Sequence, residues 1–146
     1  MKTLKSGRVI VDDDFIKPKG VVLNICSKHG YVKMYCVIKK SGRRIFQSKG
    51  YLHRYIMNAQ LGEIIDHIDG NKLNNQRSNL RICTQSQNCA NRTAKGYSFN
   101  KRDKRWFSRI EVNHKKIYLG TFNTEAEAKE AYNQAKIKYF GEFAKI

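Results

Sequence analysis

The sequence contains a single proline and no apolar run of the length that crosses a membrane, about 18 residues or more. The lack of proline excludes proline-rich disordered chains and collagen-like chains. The N-terminus also lacks a charged segment followed by an apolar stretch, which is the pattern of a signal peptide. At 146 residues the chain has room for one domain or two small ones. We therefore expect a globular protein that stays inside the cell.

Cysteine is scarce, and no two of the four cysteines have the CxxC spacing of a zinc ribbon. A chain that stays inside the cell is kept reduced, so disulfide bonds are not expected either. The sequence therefore predicts buried free thiols at Cys26, Cys36, Cys83 and Cys89.

Acidic residues are also few: 12 Asp and Glu oppose 29 Lys and Arg, which gives a net charge of +17. Between Phe15 and Gly62 there is no acid at all. A charge of this size favours a polyanionic partner, and nucleic acid is the simplest one. An anionic membrane would call for a basic amphipathic helix, whereas these basic residues lie mostly in segments with the pattern of strands and loops.

The first fifty residues have the pattern of extended structure. Residues 21–25 and 31–38 are rich in β-branched and aromatic residues, and a turn separates them. The Ser41-Gly42 pair precedes a third strand at 44–47, so a small antiparallel meander is expected. A short helix is predicted within 51–60 from its apolar spacing. We interpret Lys39, Lys40, Arg43 and Arg44 as a solvated basic hairpin, with tracking of a DNA backbone as the alternative.

The middle of the chain predicts a strand, a loop, a second strand and a helix. A short apolar run at 64–65 ends in a turn, and a polar loop continues to Asn79. Residues 80–83 have the pattern of a second strand. Thr84 is the predicted N-cap of a helix from 85 to about 92.

The last fifty residues have the clearest periodicity. Residues 105–112 alternate, with Trp106, Ser108, Ile110 and Val112 on the core face of a strand. A two-residue turn at His114-Lys115 would pair Val112 with Ile117 and Ile110 with Leu119. Thr124 and Glu127 form a capping-box pattern. The helix that follows has an apolar stripe at Ala128, Ala131, Tyr132, Ala135 and Tyr139.

Asp66, His67, Asn79 and Asn88 supply the groups that metal-assisted phosphodiester cleavage needs. Carboxylate and amide oxygens are hard ligands that suit Mg²⁺, and a neutral imidazole can take a proton from water near pH 7. Asn79 could accept the other imidazole N–H and fix the ring. Residues of these types also populate ordinary turns, so a turn-stabilising network is the alternative. Because Asp66 and His67 are adjacent, they can share one phosphate only if the strand end is distorted.

Several separated blocks resemble the HNH endonucleases of the phage and intron-encoded homing type. The blocks are Leu52-His53-Arg54, Asp66-His67-Ile68-Asp69-Gly70-Asn71, Asn74-Asn75, Asn79-Leu80-Arg81 and Gln87-Asn88. The resemblance implies a ββα-metal fold in which His67 is the general base, Asp66 and Asn88 bind Mg²⁺, with Mn²⁺ as a substitute, and Asn79 orients His67. The closing histidine of the general motif is replaced by Asn88, as in some homing members. His53 and Arg54 are expected to touch DNA beside the site, with packing or a catalytic part as alternatives for His53.

Residues 95–146 are similar to a second family, the AP2 DNA-binding domain, through Lys95-Gly96-Tyr97, Arg105-Trp106, Ile117-Tyr118-Leu119-Gly120-Thr121-Phe122, Thr124-Glu125-Ala126-Glu127-Ala128 and Ala131-Tyr132. This resemblance implies a three-stranded sheet packed on one helix, with the exposed sheet face in the major groove. The contacting residues would be Lys95, Ser98, Asn100, Arg105, Arg109, Glu111, Lys116 and Tyr118. Ser98 and Asn100 stand where plant members have arginine, so the base sequence those members bind does not transfer.

Together these patterns predict an α+β protein: an HNH domain over residues 1–93, with its core motif at 51–92 and an N-terminal β extension at 1–50, then an AP2-like domain over 94–146. The expected function is a site-specific DNA endonuclease of the homing type that leaves 5′-phosphate and 3′-hydroxyl ends. The alternative is a non-catalytic DNA-binding protein that retains the nuclease fold; an RNA-binding module is less favoured. We expect a phage-encoded monomer in the bacterial cytoplasm that binds double-stranded DNA, with no membrane and no small-molecule substrate.

Overall fold

The computed structural model describes residues 1–4, 8–41, 43–92 and 95–146. It is a mixed α+β structure that divides into two compact units, Met1–Cys83 and Thr84–Ile146, referred to below as the first and second units. The predicted domain boundary between 93 and 94 falls on residues outside those described, and it stays a prediction. In the described ranges no helix is long and apolar enough to span a membrane.

Small antiparallel sheets dominate the first unit. Its strands are β1 (Lys2–Leu4), β2 (Val9–Val11), β3 (Val21–Ile25), β4 (Val32–Lys40), β5 (Arg43–Tyr51), β6 (Ile64–His67) and β7 (Leu80–Cys83). Strands β1 and β2 form one pair, β6 and β7 form another, and β3, β4 and β5 form a meander in that order. The predicted meander and both predicted short strands are therefore confirmed. In the predicted Ser41-Gly42 turn, Gly42 lies outside the described residues.

The core of the first unit lies on one face of the meander. Val21 and Leu23 of β3 and Val32 and Met34 of β4 are buried at alternate positions, as expected when one face of a sheet is covered. They pack with Val9, Val11, Phe15 and Leu52. Leu52, which is fully buried, anchors helix α1 (Leu52–Ile56) to this core.

Helix α1 is shorter than the predicted segment 51–60 because the chain turns at Asn58, whose φ is +49°. The Arg54 guanidinium closes this turn, donating to the backbone oxygens of Gln60 and Glu63. The apolar spacing of residues 51–60 does not predict this side-chain contact.

All four cysteines are free thiols, as predicted. Their predicted burial holds only for Cys83, since Cys26 and Cys36 are half-buried and Cys89 is exposed. The reason is that Cys89 lies on a short helix with one covered side, where Ala90 takes the core position.

The second unit is a three-stranded sheet with helices. It contains α2 (Gln85–Ala90), β8 (Tyr97–Asn100), β9 (Arg105–Val112), β10 (Lys115–Phe122) and α3 (Glu125–Phe140). Strand β9 is central and antiparallel to both neighbours, and α3 packs mainly on β9. Thr84 and Thr124 cap α2 and α3, and each helix has the reciprocal capping box, with Gln87 and Glu127 as the respective third residues. Both predicted caps are confirmed.

The predicted register of the β9–β10 hairpin is wrong by two residues. The turn consists of Asn113 and His114, with φ of +49° and +64°, and Ile110 pairs with Ile117. Two-residue hairpin turns of type I′ need positive φ at both central residues, and asparagine tolerates this conformation well. Because a shift of two preserves the alternation, Ser108 and Ile110 are buried as predicted.

The apolar stripe of α3 ends at a different residue from the predicted one. Ala128 and Ala135 are buried and Tyr132 is half-buried, but Tyr139 is 40% exposed and Phe140 is buried. Phe140 packs in one cluster with Ala90 and Ile110. The periodicity of α3 alone does not predict the burial of Phe140, because the residues that cover Phe140 come from α2 and β9.

Candidate functional site

Asp66 and His67 end strand β6, and both are buried, with 6% and 4% of their surface exposed. Strand β6 pairs with β7 in a regular register, which places Asp66 opposite Arg81 and His67 opposite Leu80. The distortion that would turn both side chains to the same side is not present in this described pair of strands. In a regular strand, neighbouring side chains point to opposite faces, and here they have different surroundings.

Asp66 forms a buried ion pair with Arg81. The Nε and Nη2 atoms of Arg81 donate to Asp66 Oδ2 over 3.1 and 3.0 Å, and the two side chains are 13% and 7% exposed. A buried charge needs such a partner. Sequence reasoning did not single out Arg81, although Asn79-Leu80-Arg81 is one of the blocks that resemble the HNH endonucleases. A cation that binds Asp66 has to compete with this guanidinium.

His67 lies in a cluster of four rings with Tyr31, Tyr51 and His53. The His67 ring centroid is 5.3 Å from that of His53 and 5.9 Å from that of Tyr31. His53 in turn contacts Tyr31 at 5.1 Å and stacks on Tyr51 at 5.6 Å. Sequence reasoning missed both tyrosines. Tyr31 meets α1 and β6 only in the folded chain, whereas Tyr51 directly precedes α1 and lies two residues before His53.

Both histidines of the cluster favour the neutral form. Burial lowers the pKa of His67, while the side chain of Asn75 and the charges of Asp69 and Asp66 act in the opposite direction. Burial, and then the charges of His67 and Arg54, lower the pKa of His53 to about 4. The Nδ1 atom of His53 is buried without a hydrogen-bond partner among the described residues. At neutral pH, therefore, the His67 imidazole is in the form that accepts a proton.

Asn79 is engaged by the loop rather than by the imidazole. Its Oδ1 accepts from the Asp69 N–H at 3.1 Å, and its Nδ2 donates to Asp69 Oδ1 and to the Asn74 backbone oxygen, both at 2.9 Å. The asparagine whose side chain acts on His67 is Asn75, which is fully buried. The structure thus gives to Asn75 the neighbour position that was expected for Asn79.

Asp69 is the centre of the turn that follows His67. Its carboxylate accepts from the Asn71 N–H at 2.7 Å, from Asn74 Nδ2 at 2.8 Å and from Asn79. Burial raises the pKa of Asp69, but these hydrogen bonds outweigh it and leave the pKa below its ordinary value. Of the four residues for which a turn-stabilising network was the alternative, Asn79 has that role in this structure, together with Asp69 and Asn74.

His53 and Arg54, expected to touch DNA, lie on α1 with different surroundings. His53 is buried in the ring cluster, and the Arg54 guanidinium donates to backbone oxygens of the neighbouring loop. Arg54 remains half-buried. A DNA contact by either residue stays a prediction.

Asn88, the second expected metal ligand, is half-buried on α2 in the second unit. Among the residues that the structure describes, no group of three or more His, Cys, Asp and Glu side chains is placed to hold a metal ion. The oxygen donors of Asp66 and Asn88 are nevertheless of the hard type that Mg²⁺ prefers. The donor chemistry therefore fits, with the Arg81 guanidinium as a competitor at Asp66.

The sheet of the second unit presents an exposed face of charged and aromatic residues. The strand registers place most of the expected DNA contacts on this one face: Ser98, Asn100, Arg105, Arg109, Glu111, Lys116 and Tyr118. Arg109 lies over the Phe107 ring at 5.9 Å and pairs across the strands with Tyr118, which is 63% exposed.

Two of the expected DNA contacts in the second unit also have partners within the unit. Lys95, which precedes the sheet, forms an ion pair with Glu125 at 3.7 Å. Asn100 supports the β8–β9 turn, since its Oδ1 accepts from the Arg102 N–H at 3.0 Å.

Comparison with known proteins identifies the middle of the chain. Residues 51–90 match the family model described as HNH endonuclease. The chain carries an HNH endonuclease domain. The match includes Asp66, His67, Asn79 and Asn88, as the resemblance predicted.

One curated relative supports this identification. It is a protein of Acanthamoeba polyphaga mimivirus named as an uncharacterized HNH endonuclease, and it is 36% identical over 119 residues. The alignment covers 72% of this chain and 62% of the relative, so the chain spans less than two thirds of that protein.

Proposed function

We propose that this protein is a metal-dependent, site-specific DNA endonuclease of the homing type. The observation that carries the proposal is His67, a buried imidazole of lowered pKa that ends β6 beside Asp66, inside the residues that match the HNH model. Its products would be 5′-phosphate and 3′-hydroxyl ends.

His67 acts in this proposal as the general base. Its neutral ring takes a proton from the water that attacks the phosphorus, which requires the unprotonated form at neutral pH. The Tyr31 and His53 rings fix the orientation of the imidazole by packing against it. Asn75 and Asn79 serve as positioning residues, the first at the ring and the second through the Asp69 turn.

Asp66 and Asn88 are the proposed ligands of a divalent ion, Mg²⁺ or Mn²⁺. Such an ion, when bound, stabilises the charge that develops on the phosphate and on the leaving 3′ oxygen. Asp66 provides the negative charge and Asn88 a neutral oxygen. Binding through Asp66 requires that the Arg81 guanidinium give up at least part of its contact with the carboxylate. For Asp66 and His67 to act on one phosphate, the end of β6 must also change its conformation, because the regular strand directs the two side chains to opposite faces.

The second unit is the proposed reader of double-stranded DNA. Its exposed sheet face carries Arg105, Arg109 and Glu111 at alternate positions of one strand, which suits contacts with base edges. An AP2-like mode of binding, in the major groove, fits this face. The proposal further includes a monomer that is encoded by a phage and acts in the cytoplasm of a bacterial host.

The buried Asp66–Arg81 pair favours a second candidate, a DNA-binding protein without turnover. In that case Arg81 would neutralise the site permanently, and the nuclease domain would serve binding only. The two candidates predict the same DNA affinity and differ in cleavage.

A supercoiled-plasmid assay separates the two candidates. The full chain is incubated with plasmid in Mg²⁺, in Mn²⁺ and in EDTA, and the relaxed and linear forms are quantified. Metal-dependent conversion whose products DNA ligase reseals supports the endonuclease and its end chemistry. A chain that binds the plasmid but leaves it supercoiled in both metals supports the second candidate.

A further inference from the structure

The hairpin between β4 and β5 places like charges directly opposite each other. The register pairs Lys39 with Arg44 and Lys40 with Arg43, and all four side chains are exposed. Like charges in directly opposite positions destabilise a strand pair. The arrangement therefore lowers the stability of the hairpin. This cost suggests that the four charges interact with a partner outside the hairpin.

No acidic group near the hairpin in sequence compensates these charges. The sequence has no Asp or Glu between Phe15 and Gly62, which includes all of β3, β4 and β5. Within the described ranges none of the four basic residues forms an ion pair. The positive tip is thus available to an anion from outside the chain.

The outer face of this ribbon continues from the tip toward the ring cluster. We call outer row the cross-strand pairs on this face: Lys39 with Arg44, Val37 with Phe46, Tyr35 with Ser48, and Lys33 with Tyr51. At its inner end the Nζ of Lys33 lies 5.4 Å from the centre of the Tyr51 ring, and Tyr51 stacks on His53. The inner end of the row therefore contacts His53, a neighbour of His67, and all of these residues lie in the first unit.

The length of the outer row determines how long a stretch of a bound ligand it can contact. Lys33 and Lys39 are six residues apart on one strand, or about 20 Å at roughly 3.3 Å per residue. In duplex DNA this distance corresponds to about six base pairs, at about 3.4 Å each. Strand β5 is exposed along residues 43–50, so a ligand outside the chain can reach it.

We propose that the outer row is a backbone-binding arm for double-stranded DNA, which contacts the duplex over about six base pairs, from Lys33 at the end near His67 to the charged tip. The inference rests on the proposed function, because His67 supplies the reference point. The cations of Lys39 and Arg44 at one end of the row and of Lys33 at the other suit a uniformly charged duplex, whose phosphates position a protein without specifying sequence.

Charge neutralisation on the two faces of the same tip tests the arm. The test variant is Lys39→Gln with Arg44→Gln, on the outer face, and the matched control is Lys40→Gln with Arg43→Gln, on the opposite face. Both remove two charges from the same hairpin. Binding of the full chain to a short duplex is measured in EDTA over a salt series, so that no cleavage enters the result.

The outer-face variant is expected to lower the log–log salt slope of binding by about two units, because each lost phosphate contact contributes about 0.9. The control should change it by less than about one unit. Equal slopes for both variants and the parent chain would overturn the proposal. An equal reduction in both would assign the effect to net charge and overturn it as well.

Hydroxyl-radical footprinting then locates the arm. The outer-face variant should lose protection more than about six base pairs from the cleavage point, where the tip of the row lies, and protection elsewhere should remain. Both variants should unfold at or above the temperature of the parent chain, since like-charge pairs are removed. If the parent chain bound DNA but failed to cleave it, the nuclease proposal would fail while the slopes would still decide the arm.

Discussion

Gly96 lies directly against the ring of Tyr132. A Cβ placed on Gly96 would be 1.9 Å from Cε2 and 2.2 Å from Cδ2 of that ring, which no side chain tolerates. Residue 96 is not in a left-handed conformation, so glycine is required here for space alone. The contact joins the start of β8 to α3, and it explains why a glycine at 96 and an aromatic residue at 132 occur in the same unit.

The first prediction is that Gly96→Ala destabilises the second unit by about 1 to 3 kcal/mol, because the added methyl group forces Tyr132 out of place. Urea unfolding measures the change. Ser98→Ala, at an exposed position of β8, is the control and should change little. Adding Tyr132→Ala to Gly96→Ala should remove the clash, so a double variant that loses the sum of both single effects would contradict this packing.

The second prediction concerns the pH dependence of stability through His53. The pKa of His53 is about 4 in the folded chain and near 6.5 when the histidine is solvated, so the unfolded chain binds a proton that the folded chain does not. The free energy of unfolding should therefore fall as the pH falls from 6.5 to about 4, by up to about 3 kcal/mol from this group.

His53→Phe keeps a ring in the cluster and removes this titration. We expect a flatter curve of unfolding free energy against pH in that window, with a residual slope from His67, whose pKa burial also lowers. His29→Gln, in the exposed turn between β3 and β4, is the matched control. A His53→Phe curve parallel to that of the parent chain would show that His53 is not buried as described.

The third prediction is that His67→Ala lowers the cleavage rate by about 10²- to 10⁴-fold, because a general base contributes that much to the rate and little to binding. DNA affinity should stay within a few fold, as a gel-shift titration would show. His29→Ala, which removes an exposed histidine of the same unit, should cleave at the parent rate. Undiminished turnover by His67→Ala would refute the assignment of the base.

The fourth prediction uses the Asp66–Arg81 pair to test the metal ligand. Arg81→Gln removes the positive charge from a buried carboxylate and should cost about 3 to 5 kcal/mol in EDTA. Mg²⁺ should restore part of this stability, because the carboxylate released from Arg81 binds it more tightly and binding to the folded chain stabilises that chain. The readout is thermal unfolding over a Mg²⁺ titration.

Asp66→Asn is the matched variant in the same titration. It should lose the response to Mg²⁺ as well as the cleavage activity, since Asn88 alone is a neutral ligand. Stabilisation of Asp66→Asn by Mg²⁺ equal to that of the parent chain would remove Asp66 from the ligand set.

Local patterns predicted most of the elements. The alternation in 105–112 and the caps at Thr84 and Thr124 depend on residues a few positions apart, and these features are confirmed. The β9–β10 register failed because a two-residue shift preserves every face, so the alternation does not distinguish the two registers. Only the turn requirement for positive φ at Asn113 and His114 does so.

The surroundings of the site were harder to predict, because they depend on contacts that are distant in the chain. Arg81 meets Asp66 only through the register of β6 and β7, and Tyr31 meets His67 only in the folded first unit. The motif placed His67 and Asp66 in the matched domain. It did not distinguish Asn75 from Asn79 as the neighbour of the imidazole, since both amides suit that role chemically.

The structure also alters how the DNA-reading role of the second unit is tested. Helix α2 belongs to that unit: Ala90 packs with Ile110 and Phe140, and its backbone oxygen accepts from the Lys145 N–H at 3.5 Å. Removing residues 94–146 would therefore strip α2 of its core along with the sheet. Such a truncation would confuse loss of DNA reading with loss of folding, and single substitutions on the intact chain avoid this.

The last prediction is that Arg109→Ala relaxes sequence preference at about one base pair, at a cost of roughly 1 to 3 kcal/mol in discrimination. Arg109 extends from the central strand and is held over the Phe107 ring, so its guanidinium is presented at a fixed position on the sheet face.

Arg102→Ala is the control for that substitution, because Arg102 lies in the exposed β8–β9 turn, away from the face. It should lower affinity equally for all sequences or leave it unchanged, since contacts with phosphates do not specify bases. Cleavage profiles of the parent chain and both variants on a randomised target library give the preference at each base pair. An Arg109→Ala profile identical to that of the parent chain would mean that Arg109 does not read a base, and would overturn this prediction.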